Sequence, residues 1–305
     1  MNKGSQRAIY AAFGANLGIT VAKLVGAIIT GSAGLLAETL HSFADTGNQA
    51  LLLFGGARSQ RSATKKHQFG YGAERYFWSF VVALVLFSLG GLFALYEGVQ
   101  KLVHPHETSH FSLALVILVV AIVLETFSLR TAIKEAKKSK SPAIGWWRYI
   151  KDAKEPELPV VLLEDIGAEI GLSFALLGVV VAHITGEPRW DAVGSLAIGV
   201  LLIAIAGILA VEMKSLLIGE AAAVEVEEVI TKALMGSPEV RRIIHMKTMH
   251  LGPEEILLAV KIEFNNALSV TQLAEAIDDA ERRARNATGA TLMIYVEPDI
   301  SRAAI

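Results

Sequence analysis

Residues 77–102 read FWSFVVALVLFSLGGLFALYEGVQKL, and no ionisable acid or base other than tyrosine precedes Glu97 in that run. A helix of about 20 apolar residues spans the hydrocarbon core of a bilayer. Five further stretches of this kind lie at 9–29, 34–56, 111–129, 160–184 and 192–211. Several hold polar residues, which suits helices of a bundle rather than single anchors facing lipid. The expected architecture is a polytopic α-helical membrane protein with six transmembrane helices. Composition agrees: 53% of the 305 residues are hydrophobic, and they are concentrated in these runs. No cleavage site follows the first apolar run, so that run is expected to stay as a span.

Six spans place both termini on one side of the membrane, and the Lys/Arg bias of short loops says which. The loop after the second stretch carries Arg58, Arg61, Lys65, Lys66 and Arg75. The loop after the fourth carries Arg130, Lys134, Lys137, Lys138, Lys140, Arg148, Lys151 and Lys154. The opposite loops offer Lys101 at an edge and Arg189. Both termini are therefore expected in the cytoplasm, and the reading places the chain in a bacterial inner membrane. Within the long loop, Trp146-Trp147-Arg148-Tyr149 reads as a short interfacial helix, because aromatics beside cations suit the headgroup region.

The pattern changes near Lys214. Residues 223–235 read as an amphipathic helix stopped by Gly236-Ser237-Pro238. Residues 240–249 and 256–264 read as a strand pair around Leu251-Gly252-Pro253-Glu254-Glu255. A helix follows at 269–286, with Ser269 as N-cap, and a last strand at 291–297. The expected division is a transport domain over 1–213 and a small α/β (αββαβ) cytoplasmic domain over 214–305. A domain of that size is often completed by a partner.

Formal net charge is −2, so no overall field points to nucleic acid, and the chain has no cysteine. Thiolate catalysis, disulfides and Cys-based metal sites are excluded together. Any metal must be held by His, Asp, Glu or backbone oxygen. Two pairs stand out inside the apolar runs: His41 with Asp45, and Asp165 with Glu169. Each is spaced i, i+4, so its two side chains leave one helix face. Facing each other, the pairs would offer one imidazole and three carboxylates to a divalent ion. A carboxylate at mid-membrane costs about 2.5–3.5 kcal/mol on the translocon scale, so three in two spans require compensation. Lys23 supplies one cation, paired with Glu38 or Glu125, which is too little for all of them. The pairs therefore read as a metal or proton site, with packed structural acids as the alternative. Glu38 could extend the site and Glu164 lies next to Asp165. Asn16 and Asn48 read as interhelical hydrogen bonders.

The segment from Gly31-Ser32 through Glu38-Thr39-Leu40-His41-Ser42-Phe43-Ala44-Asp45 resembles the span-two signature of the cation diffusion facilitator family. So do Lys23, His67-Gln68-Phe69-Gly70-Tyr71-Gly72 and Asp191-Ala192-Val193-Gly194-Ser195. The resemblance covers nearly the whole chain. It implies a homodimer that exports zinc or a related metal against protons, with no cofactor. Carried over by position, it implies the metal site His41, Asp45, Asp165 and Glu169. Zinc-transporting relatives usually have His-x-x-x-Asp where Asp165 and Glu169 stand here. Many relatives also carry Arg-x-Glu after the Gly-Tyr-Gly motif, where this chain has Ala73-Glu74-Arg75. That ending, with Asp45-Thr46-Gly47-Asn48-Gln49 and Leu162-Leu163-Glu164-Asp165, resembles the zinc transporter nine-like branch. Where some bacterial members bind zinc between tail domains, this chain offers Ile244, Lys261 and Tyr295. His245 and His250 are expected on opposite strand faces. His67, His104, His106 and His110 read as ordinary loop residues.

Three carboxylates and a divalent ion leave a residual charge of −1. When the metal departs, protonation relieves the exposed charges. The expected function is a divalent metal cation/proton antiporter that exports zinc from the cytoplasm. Manganese, iron or cobalt are the alternative cargoes, because oxygen donors suit harder ions. The expected partners are the metal ion, protons, the bilayer and a second copy of the chain. An enzyme is not expected: Gly-x-Ser-x-Gly does not occur, and His106-Glu107-Thr108-Ser109-His110, which has the His-Glu-x-x-His spacing, reads as part of the loop between two apolar runs rather than of a helix. An intramembrane metallohydrolase and a non-transporting scaffold remain the readings from other classes.

Overall fold

The computed structural model describes residues 3–105, 110–140, 142 and 144–300, with side chains from Leu17 onward except that of Ser139. The chain divides into two compact units. One comprises Met1–Gly55 with Phe77–Met213, the other Gly56–Tyr76 with Lys214–Ile305. The basic loop at 56–76 thus groups with the tail, a partition that hydropathy along the chain does not show.

All six predicted spans are helical. They are α1 (Lys3–Thr30), α2 (Ala33–Ser59), a third span built of α3 (Glu74–Val85) and α4 (Phe93–Val103), then α5 (Phe111–Ser139), α7 (Glu157–Thr185) and α8 (Arg189–Ile218). Four of them, Glu74–Val103, Phe111–Lys138, Glu157–Thr185 and Arg189–Ile218, are long and apolar enough to cross a membrane. In α1 the described apolar part is Leu17–Thr30. Although 27 residues long, α2 is less apolar, because Glu38, His41 and Asp45 interrupt it. The short α6 (Trp146–Asp152) lies where the aromatic cluster was read as a helix.

Gly31, at φ 64°, turns the chain between α1 and α2. A residue with a Cβ would be strained there. Ser32 then caps α2, its Oγ accepting from Leu35 N at 3.2 Å, and a second cap comes from far along the chain. The Asp191 carboxylate accepts from Ala33 N at 3.0 Å, Gly34 N at 3.3 Å and Ser32 Oγ at 3.0 Å. Lys101 Nζ donates to Asp191 Oδ2 at 2.7 Å and to Gly31 O at 2.8 Å. Both side chains are wholly buried. Lys101, read from sequence as an edge residue, is therefore an interior one. Its ion pair joins α4, α8 and the start of α2.

Between α3 and α4 the helix widens into a π-helical stretch, Leu86–Leu92. The last span, α8, is packed close against it. A Cβ on Gly91 would lie 2.5 Å from Ile203 Cγ1, and one on Gly98 would lie 2.8 Å from Leu196 Cγ.

In the second unit α9 (Val224–Met235) precedes β1 (Val240–Gly252), β2 (Glu255–Phe264), α10 (Val270–Ala287) and β3 (Thr291–Pro298). The sheet order is β1-β2-β3, with β1 antiparallel and β3 parallel to β2. Ser269 and Gln272 form a capping box at the start of α10. Ala276, Ala280 and Ala284 repeat every fourth residue on its buried face. Ile256, Leu258, Val260, Ile262 and Phe264 alternate along the central strand and are buried with them in one core. The 56–76 loop meets the β1–β2 turn backbone to backbone. A Cβ on Gly72 would lie 2.7 Å from Leu251 O, and one on Gly252 would lie 2.8 Å from Gly72 Cα.

Candidate metal site

The polar residues of α1, α2, α5 and α7 meet inside the first unit. On α2, His41 is fully buried and Asp45 is 20% exposed, with Nδ1 3.5 Å from Oδ1. Among the described residues, neither ring nitrogen of His41 has a hydrogen-bond partner of ordinary geometry, and Asp45 Oδ1 has no donor. Leaving such atoms unpartnered in a buried setting costs free energy, and sites that receive a ligand show this pattern.

On α7, Asp165 and Glu169 both point toward hydroxyls of α5. Ser128 Oγ donates to Asp165 Oδ2 at 3.1 Å, and Thr126 Oγ1 donates to Glu169 Oε1 at 2.9 Å. The second oxygen of Glu169, Oε2, is buried without a hydrogen-bond partner among the described residues. The i, i+4 reading of each pair thus gives a common direction, but the four residues stand as two pairs. Among the described residues, no three or more His, Asp or Glu side chains are gathered closely enough to hold a metal ion.

The neighbouring groups were partly foreseen. Asn48 Nδ2 donates to Glu164 Oε1 at 2.6 Å, linking α2 to α7. Lys23 Nζ lies 3.6 Å from Glu38 Oε2 and 3.9 Å from Glu125 Oε1, so it is shared by both carboxylates between which sequence left the choice open. Glu38 leans on α7 where there is no side chain: a Cβ on Gly171 would lie 2.3 Å from Glu38 Oε1. Gly171 therefore sets how closely the two helices bearing the acid pairs approach. Thr126 and Ser128 were missed by sequence reading. The available signal was two hydroxyls just after Glu125 in an otherwise apolar run. Asn16 and His106 lie outside the residues whose side chains are described.

The tail has a different chemistry. Lys261 Nζ is 2.9 Å from Glu297 Oε1 and 3.1 Å from Asp299 Oδ2. Hydrogen bonds to those carboxylates raise its pKa further, so the position carries a fixed cation. His245 is exposed whereas His250 is buried, with its Nδ1 3.2 Å from Gly252 O. This agrees with their expected opposite faces. His67 stacks obliquely near Tyr71, with ring centroids 4.8 Å apart, and His104 and His110 are exposed.

A bundle of long apolar helices with an acid-lined interior and a small α/β unit defines a polytopic membrane protein with an intramembrane polar centre. The family model for the cation efflux transmembrane domain matches residues 9–218. The chain belongs to the cation efflux family. It is 32% identical over 257 residues to the proton-coupled zinc antiporter SLC30A9, mitochondrial, of Xenopus laevis, covering 84% of this chain and 46% of that protein. It is 32% identical over 267 residues to metal tolerance protein C4 of Arabidopsis thaliana, covering 87% and 58%. It is 23% identical over 284 residues to magnetosome protein MamB of Paramagnetospirillum magneticum, covering 91% and 88%. The chain thus spans about half the length of the SLC30A9 proteins it matches.

Proposed function

We propose that this chain is a divalent metal cation/proton antiporter that exports zinc from the cytoplasm through a site formed by His41, Asp45, Asp165 and Glu169. The observation that carries the reading is the set of buried, partner-poor donor atoms on α2 and α7: both nitrogens of His41, Oδ1 of Asp45 and Oε2 of Glu169. Imidazole and carboxylate are the donors a divalent ion takes in a cysteine-free chain. The two pairs converge on the ion when α2 and α7 rock toward each other, and protons occupy the same oxygens once it leaves. The names of the SLC30A9 relatives favour zinc and proton coupling. The three carboxylates favour manganese, iron or cobalt as secondary cargo. In this reading residues 1–213 carry transport, 214–305 form a cytoplasmic dimerisation domain, and both termini face the cytoplasm of a bacterial inner membrane.

Metal-driven proton flux in proteoliposomes of the purified protein tests the proposal. Asp45→Ala and Asp165→Ala are each expected to abolish flux while the protein remains folded and keeps its oligomeric state. Wild-type flux in either variant refutes the four-residue site. Absence of flux in the unaltered protein with every divalent ion tried refutes antiport.

A further inference from the structure

Lys23 is only 1% exposed and lies at the junction of α1, α2 and α5. Among the described residues, its one hydrogen bond of ordinary length runs to a neutral group, Ser42 Oγ at 2.7 Å. The two carboxylates beside it are farther away, at 3.6 Å for Glu38 and 3.9 Å for Glu125. Among the described residues, neither Glu38 oxygen has a hydrogen-bond partner. The ammonium thus compensates these acids by nearness rather than by short directional bonds. A buried structural ion pair is held differently, as Lys101 and Asp191 show at 2.7 Å in the same unit. Ser42 is adjacent to His41 and three residues before Asp45, so the Lys23 charge stands beside the proposed ligands.

We infer that Lys23 is the resident counter-cation of the intramembrane centre, a tethered positive charge that neutralises the acids around the proposed ligands and opposes the entry of the transported metal beside them. The inference rests on the site proposed above. A cation fixed on α1 disfavours a second cation nearby, so metal is bound less tightly than the acids alone would hold it. When metal leaves, the ammonium still balances Glu38 and Glu125, so the centre never carries its full negative charge in low dielectric. Lys23 is in these terms a positioning residue for charge: it coordinates nothing and sets how readily the cargo is released.

The test uses the purified full-length protein, zinc chloride as probe, calorimetric affinity, and melting temperature with and without zinc. Lys23→Met is expected to bind zinc at least about tenfold more tightly, the effect of removing one nearby like charge. Its melting temperature should rise more on zinc addition than that of the wild type. Lys23→Arg keeps the charge and should retain affinity close to wild type, which a requirement for lysine's shape would not allow. If Lys23→Met folds only when zinc is present, metal has replaced the missing ammonium and the inference stands. If it folds and binds with wild-type affinity, or fails to fold with zinc as without it, the inference is overturned. Asp45→Ala in parallel separates the two readings. Undiminished zinc binding there overturns the site and the Lys23 inference together. Lost binding there, with wild-type affinity in Lys23→Met, overturns the Lys23 inference alone.

Discussion

Replacing Asp191 by alanine should be the most damaging single change outside the candidate metal site. Its carboxylate lies 2.7 Å from the Lys101 ammonium, and both side chains are wholly buried. At an effective dielectric constant of 20, unit charges at that separation attract by about 6 kcal/mol. Part of this offsets the desolvation of both ions, and removing one partner from a buried pair costs roughly 3–5 kcal/mol. The same carboxylate caps α2 through Ala33 N and Gly34 N, a role whose loss costs about 0.5–2 kcal/mol. The two losses share atoms, so about 3–5 kcal/mol is the expected total. Lys101→Met should cost less, about 1–3 kcal/mol, because Ser32 Oγ, Ala33 N and Gly34 N still donate to the remaining carboxylate. Lys101→Met/Asp191→Leu should cost less than the two single changes added together, since no charge is stranded. Equilibrium unfolding in mixed detergent, followed by tryptophan fluorescence, gives all three values. A loss below about 1 kcal/mol for Asp191→Ala, or a larger loss for Lys101→Met than for Asp191→Ala, refutes the reasoning.

Asp165→His should raise the zinc-to-manganese transport ratio, because manganese gains least from a nitrogen donor. An unchanged ratio with measurable flux removes Asp165 from the ligands and makes Glu164 the next residue to change. Zinc binding to the tail is expected to be weak, since Lys261 presents a cation held by Glu297 and Asp299. Two tightly bound ions per protomer surviving in Asp45→Ala/Asp165→Ala would contradict this. Finally, hydrogen bonds from Arg283, Ser237 and Arg282 hold the Asp279 carboxyl below its usual pKa. Its stabilisation is therefore full above about pH 4 and fades as pH falls through the depressed value. The melting difference between wild type and Asp279→Asn should shrink on acidification; a difference that grows instead would contradict the sign.

Legibility in the sequence depended on how local the governing physics was. Ser269 was readable as an N-cap because a cap and its donors lie within one turn. The common direction of His41 and Asp45 followed from helical spacing alone. Lys101 and Asp191 are 90 positions apart, and neither residue announces a partner that only packing supplies. The 56–76 loop was read as a basic connection, because charge composition does not reveal that Gly72 and Gly252 will touch. Gly171 is one of several glycines in an apolar run, and nothing local marks it as the position against which the Glu38 carboxylate packs.

The π-helical stretch changes which side of the third span its buried row occupies along its length. Val82, Leu86, Gly90, Ala94 and Gly98 recur every fourth residue, and all five are buried. In an unbroken α-helix a fourth-residue row drifts 40° per step, so this one would wander by about 160° from end to end. Widening the middle turns takes back part of that drift and holds the row on one side. Ser195 Oγ reaches Ala94 O along it at 2.9 Å, and a Cβ on Gly98 would lie 2.8 Å from Leu196 Cγ. The straightened row keeps Gly90, Ala94 and Gly98 turned to α8, so the two helices stay in close contact over several turns.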